Sequence, residues 1–368
     1  MVGGLIYMSK KALFICLHRP DRSPSQRFRF EQYLSFLNEN GYDCQHVFLL
    51  DLKQDGTFYL PGKLLSKAWI LIRSILLLIK HAFFKKYDLV LVQREAFMLG
   101  TAFFEKQFAR RSKLIFDLDD SIWMQQTGDI KSANKFLYFL KNPNKTKDII
   151  KAADMVFAGN RYIADYCSQF NSNVNIVPTT IDTDEYAYVD KIDSPQVCIG
   201  WSGSVTTIIH FEFVVDALKE IKTKYGDRVT FKVVGSKDFV NEELGIVGQA
   251  WRKDTELDDF RAMDIGLMPL PDDEWTKGKC ALKGLQYMSF GIPCIMSPVG
   301  VNSDIIHDGG NGYLATTQDE WVEKLSQLIE SFELRQRIGK AGRETVLNDF
   351  SIHANQGLYL KYFNELTT

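Results

Sequence analysis

Short apolar runs alternate with amphipathic stretches along most of the chain. The runs fall at residues 11–17, 44–50, 89–93, 113–116, 155–158 and 175–177, and their length and richness in Val, Ile, Leu and Phe predict buried strands. Helical spacing fills the intervals near 30–40, 63–86, 96–111, 132–152 and 161–170. In the first of these Phe28, Tyr33, Leu34 and Leu37 recur at helical spacing before Gly41, a natural helix stop. A polar segment at 182–195 breaks the rhythm, which then restarts. Strands are expected at 197–201, 229–234, 265–268 and 294–297, with a short element near 246–250. Helices are expected at 209–225, 255–263 and 281–289, and from 317 to the end, where Trp321, Leu325 and Leu328 share a face. Strand–helix alternation of this kind predicts parallel sheets flanked by helices. The chain thus reads as α/β, with two Rossmann-like domains at 1–190 and 191–368 and the last helix packing back on the first domain. Ligands in such sheets sit beyond the carboxyl ends of the strands, so a cleft between two of them is the expected active site.

Composition narrows the classes. The 368 residues are 45% hydrophobic, which excludes a disordered chain, a collagen and a disulfide scaffold. Forty-four basic against 46 acidic residues argue against a nucleic-acid partner. Cys16, Cys44, Cys167, Cys198, Cys280 and Cys294 form no CxxC pair and read as small buried hydrophobes of a reducing compartment. The six histidines make no HxxxH or HExxH pattern, so no metal site is expected. Residues 1–7 lack a secretory signal, and Met8 looks a more natural start. A cytoplasmic protein follows.

One helix departs from the neutral average. Residues 58–87 hold Lys63, Lys67, Arg73, Lys80, Lys85 and Lys86 and no acid, interleaved with Trp69, Phe83 and Phe84. The charges interrupt the apolar run too often for a membrane span. Two readings stay open: a helix lying in an anionic membrane surface, on the inner face of the cytoplasmic membrane, or a core helix with snorkelling lysines at its rim.

Four stretches carry candidate chemistry. Ser202-Gly203-Ser204-Val205-Thr206 opens a helix after a strand, where backbone amides, hydroxyls and the helix terminus suit a phosphate. Lys279 precedes the helix at 281–289, and Lys283 and Gln286 follow on one face. Asp117, Asp119 and Asp120 end an apolar strand, where unpaired burial would be costly, so they are expected to face solvent or a ligand. The alternative is a helix cap with a salt bridge to Arg94 or Arg161. His18, Arg19, Arg22, Arg27 and Arg29 follow the first strand, either as an anion-binding loop or as a solvated basic loop, and Arg94 closes another strand.

The two-domain layout with Gln286-Tyr-Met-Ser-Phe-Gly291-Ile-Pro293 resembles the GT-B-fold glycosyltransferases, family 4 in particular. Asp264–Pro269, Ala153–Asn160, Val177–Asp182 and Asn311–Leu314 match further motifs of that family at the right intervals. The resemblance implies transfer of a sugar, with retention, from a nucleotide-diphosphate donor to a glycan or lipid-linked acceptor in envelope polysaccharide or glycolipid synthesis. It implies that Ser202, Gly203, Ser204, Thr206, Lys279 and Lys283 hold the donor phosphates without a metal and Gln286 the ribose. Asp119, Asp120 and His18 would stand at the reacting hydroxyl, with Arg22, Arg27 and Arg94 on the acceptor side. The family pattern has two glutamates where this chain has Gly278 and Gln286. Two other readings remain. Asp117-Leu-Asp119 resembles the nucleophile motif of haloacid-dehalogenase-type magnesium phosphatases, and a non-catalytic nucleotide-sugar-binding subunit would keep the donor site alone.

Overall fold

The computed structural model describes residues 9–124, 142 and 144–368, and they divide into two compact units. The first comprises residues 1–178 and 356–368, the second residues 179–355. The expected helix near 132–152 lies partly outside the described residues; its described part is Asn144–Ala152.

In the first unit six parallel strands form one sheet: β1 (Lys10–His18), β2 (Tyr42–Leu50), β3 (Leu89–Gln93), β4 (Lys113–Leu118), β5 (Met155–Ala158) and β6 (Val174–Ile176). Their order is β2-β1-β3-β4-β5-β6. The central strand β3, Leu-Val-Leu-Val-Gln, is buried along its whole length, as a strand covered on both faces must be. The second unit repeats the plan. Strands β7 (Val197–Ser202), β8 (Val229–Val234), β11 (Ile265–Met268), β12 (Cys294–Met296) and β13 (Tyr313–Leu314) order as β13-β12-β11-β7-β8, all parallel. A small antiparallel hairpin, β9 (Val240–Asn241) with β10 (Ile246–Val247), stands apart. In both sheets the strand order reverses next to the first strand, between β1 and β3 and between β7 and β11. Ligands in doubly wound sheets collect at such switch points.

Several boundaries differ from the sequence reading. The division falls at 178/179 and not at 190/191, because residues 179–190 pack on the second unit. Val189 N–H donates to the Phe290 carbonyl at 3.0 Å, Ser289 Oγ donates to the Tyr186 carbonyl at 2.8 Å, and Tyr186 lies against Phe290. The last helix, Ile352–Thr367, groups from residue 356 with the first unit. There Tyr359 stacks on Tyr33 and its hydroxyl donates to the Arg29 carbonyl at 2.7 Å. The helix expected over 96–111 begins only at Phe103, since Lys145 Nζ takes the carbonyls of Phe97 and Leu99 that a helix would use. Residues 209–225 form two helices, Ile208–Glu212 and Val215–Tyr225. All six cysteines are free thiols.

Candidate functional site

In the second unit a pocket of about 70 Å³ opens at the switch point. Trp201 near the end of β7 and Met268 at the end of β11 line it, with Thr207, His210, Lys279 and Lys283. Lys283 Nζ lies 5.8 Å from the Trp201 ring centroid, and Lys279 Nζ lies 5.2 Å from that of Trp275. Both lysines thus lie beside aromatic faces and line one cavity. The backbone at Ala281 (φ 55°) is left-handed, a strained start to the helix Leu282–Ser289 that carries Lys283.

The Ser/Gly loop differs from the open cradle that its composition predicts. Ser202 N–H donates to the Tyr287 hydroxyl, Gly203 N–H to the Val234 carbonyl and Ser204 N–H to Thr207 Oγ1, each at 2.9 Å. Three amides expected to face phosphate are thus committed within the unit. The hydroxyls of Ser204 and Thr206 lie 3.0 Å apart on the exposed side and remain the loop's polar surface. Gly203 is required here because a Cβ would overlap the Trp201 ring.

Gln286 is buried, and its Nε2 faces Glu256 Oε1 at 3.3 Å and the Tyr186 hydroxyl at 3.5 Å. This pairing accounts physically for the missing glutamate: a carboxylate at 286 would meet that of Glu256. Gln286→Glu is expected to cost about 1–3 kcal/mol at pH 8, the penalty of an unmatched buried polar group, and less at pH 5, where one carboxyl takes a proton. Equal denaturation midpoints for wild type and variant at pH 8 would refute the pairing.

The first unit gathers a second cluster at the carboxyl ends of β1, β3 and β4. His18 is clamped by Gln26, which donates to its carbonyl at 2.8 Å and accepts from its N–H at 3.0 Å. The His18 ring lies 3.4 Å from Asp55 Oδ1 and 3.1 Å from the Tyr59 hydroxyl, while Arg22 Nε donates to Asp55 Oδ2 at 2.5 Å. Burial lowers the His18 pKa to about 4 against the opposing pull of Asp55, so the ring is neutral at pH 7. Arg94, itself left-handed at φ 62°, grips Asp119 with two hydrogen bonds of 2.6 and 3.0 Å and lies 3.6 Å from Asp120. Burial works to raise the Asp119 pKa, but the charge and hydrogen bonds of Arg94 outweigh it and the net value falls below the ordinary one. Bound this way, Asp119 is a weak base.

Two expectations are corrected by this geometry, and one alternative is met. Asp117 faces neither solvent nor a ligand: its side chain is 0% exposed and forms a two-bond ion pair with Arg29, equally buried. A carboxylate so enclosed is no phosphatase nucleophile. Arg27 and Arg29 are buried and not part of a solvated loop; Arg27 packs over the Phe28 ring. The salt-bridge partner of the acidic strand end is Arg94. Trp201, His210 and Glu256 were missed by sequence reasoning, although an aromatic residue at a strand end was a legible signal.

A pair of doubly wound parallel sheets in one chain, each with a cluster at its switch point, is the GT-B class of fold. Solved structures agree over the whole length. A sucrose-phosphate synthase from Thermosynechococcus elongatus matches with TM-score 0.66 at 13% identity, covering 97% of this chain and 99% of that one. HepE from Anabaena, solved with UDP-glucose, matches with TM-score 0.66 at 13% identity over 97% and 100% of the two chains. Among curated proteins, spore coat protein SA of Bacillus subtilis is 27% identical over 154 residues, 37% of this chain and 40% of that protein, so the match spans well under half of either. Residues 196–331 match the family model described as glycosyl transferases group 1. Residues 196–331 thus carry the sequence pattern of a group 1 glycosyltransferase domain.

Proposed function

We propose that the protein transfers a sugar, with retention, from a nucleotide-diphosphate donor to a glycan or lipid-linked acceptor in envelope polysaccharide or glycolipid synthesis. The observation that carries the donor side is the convergence of Lys279 and Lys283 on one pocket at the β7/β11 switch point. Two ammonium groups there neutralise the charge that develops on the leaving diphosphate. The Ser204 and Thr206 hydroxyls add donors at its rim, and the side chain of Gln286 orients the ribose through its carbonyl oxygen. HepE, similar in fold, was solved with UDP-glucose, which supports a nucleotide-sugar donor. On the acceptor side, neutral His18 and Asp120 are the candidate bases, with Arg22 and Arg94 fixing their neighbours.

No helix among the described residues is long and apolar enough to cross a membrane. The helix Leu64–Phe84 nevertheless exposes Leu65 (89%), Trp69 (63%) and Phe84 (78%) among its lysines. A core helix would bury these side chains; a helix seated in an anionic membrane surface would not. That surface supplies a lipid-linked acceptor.

Calorimetric titration with UDP, GDP, CMP and their sugars tests the donor site. One nucleotide class should bind, and Lys279→Ala and Lys283→Ala should each weaken it roughly tenfold, the worth of one charge-assisted hydrogen bond. No binding of any nucleotide would overturn the reading. Slow donor hydrolysis by the wild type separates an enzyme from a binding subunit.

A further inference from the structure

At the amino-terminal edge of the first sheet an open pocket of about 470 Å³ is lined by Lys11, Lys86, Tyr87, Asp88 and Arg111. Lys11 lies at the start of β1, Asp88 directly precedes β3, Lys86 follows the helix Leu64–Phe84 and Arg111 follows the helix Phe103–Ala109. We propose that this pocket binds the phosphate of an anionic lipid headgroup. The proposal rests on the membrane-surface reading above and gives it a defined binding site.

Three cations face one acid, and that acid is already used: Asp88 Oδ2 accepts from the Lys11 N–H at 2.7 Å. Arg111 Nη1 donates to the carbonyls of Ala82 and Phe83 at 3.1 and 2.7 Å. It thereby satisfies the end of the long helix and fixes its guanidinium at the pocket. The ammonium groups of Lys11 and Lys86 are not needed for that capping. Neither makes an ion pair among the described residues, so their charge is available to a ligand.

The surroundings favour a lipid over a free anion. Phe84, 78% exposed, is two residues before Lys86, and Phe103, 51% exposed, stacks on Phe83 with centroids 6.3 Å apart. Apolar rings beside a basic pocket suit a headgroup phosphate with its acyl chains alongside. The pocket is separate from the acceptor-side cluster: Lys11 and His18 lie at opposite ends of β1, about 23 Å apart at strand rise.

Flotation of the full chain with vesicles tests the assignment, using phosphatidylcholine alone or mixed with phosphatidylglycerol or phosphatidate at equal surface charge. The wild type should bind both anionic mixtures and prefer phosphatidate, whose phosphomonoester enters the pocket. Lys11→Gln with Lys86→Gln should weaken binding by more than the about 30-fold that charge alone accounts for, at about fivefold per surface lysine, and should abolish the preference. Lys67→Gln with Lys80→Gln removes equal charge from the same helix and should weaken binding while keeping the preference. Equal losses and an unchanged preference in the two double variants would overturn the pocket while leaving the membrane reading intact. No binding by the wild type to any anionic vesicle would sink both. Inorganic phosphate that binds the pocket lysines in a protein showing no phosphatidate preference would make the ligand a soluble phosphate and refute the lipid. A stable dimer in sedimentation that Trp69→Glu dissociates would assign this face to a second copy and likewise refute it.

Discussion

Arg29→Met is expected to destabilise the first unit by about 3–5 kcal/mol, because it leaves the Asp117 carboxylate buried without its counter-charge. Arg29 also donates to the Val177 carbonyl, and its own carbonyl accepts from Tyr359. One residue thus joins the segment after β1, the end of β4, the close of the first unit and the last helix. Urea denaturation followed by circular dichroism measures the loss. The double variant Arg29→Met/Asp117→Leu should recover most of it, since a buried ion pair exchanged for apolar groups is often neutral. A single-variant loss below about 1 kcal/mol, the range of exposed pairs, would show that water reaches the pair.

Acid should destabilise the first unit before its carboxylates titrate. Burial holds both His18 and His46 at a pKa of about 4, against an ordinary value of 6.5. The unfolded chain therefore binds more protons than the folded one between these values. The stability is fully present above pH 6.5 and is lost as pH falls toward 4. Each histidine contributes at most about 3 kcal/mol to that loss. Glu31 and Glu105, raised by burial, act with the opposite sign, so the histidine variants isolate the effect. His18→Gln and His46→Gln should each flatten the dependence of the urea midpoint on pH between 6.5 and 4. A His18 or His46 signal titrating near pH 6.5 by NMR in the folded protein would contradict this.

The strands were the most legible feature. Residues 89–93, 155–158, 229–234 and 265–268 coincide with β3, β5, β8 and β11 end to end; β3, β5 and β11 are buried along their length and read as near-continuous apolar runs, whereas β8, at the sheet edge, is interrupted by Thr230 and Lys232. The helix at 63–86 matched Leu64–Phe84 closely, since its apolar and basic residues are patterned for a surface. Less was legible where a side chain reaches across the chain. The stretch before Phe103 looked helical until Lys145 claimed its carbonyls, and the helix Leu52–Phe58 was missed although Asp51 and Gln54 form a capping box there.

The candidate site divides along the same line. Lys279 and Lys283 were legible as two basic residues at a helix start, although Lys279 lies in extended backbone before Leu282, so helical spacing alone does not bring them together. Their joint pocket with Trp201 depends on strands β7 and β11 lying side by side. The three aspartates at 117, 119 and 120 looked equivalent by composition. Folding separates them, burying Asp117 against Arg29 and setting Asp119 and Asp120 against Arg94. By itself the sequence determined the alternation of strands and helices, the restart that makes a second unit, and the basic apolar helix, since each is a local pattern of side-chain polarity. Only the tertiary structure decided which charges are spent in pairs and which are left for a ligand. A polar group's partner lies 88 residues away for Arg29 and 30 residues away for Gln286, and a spacing that long is set by packing.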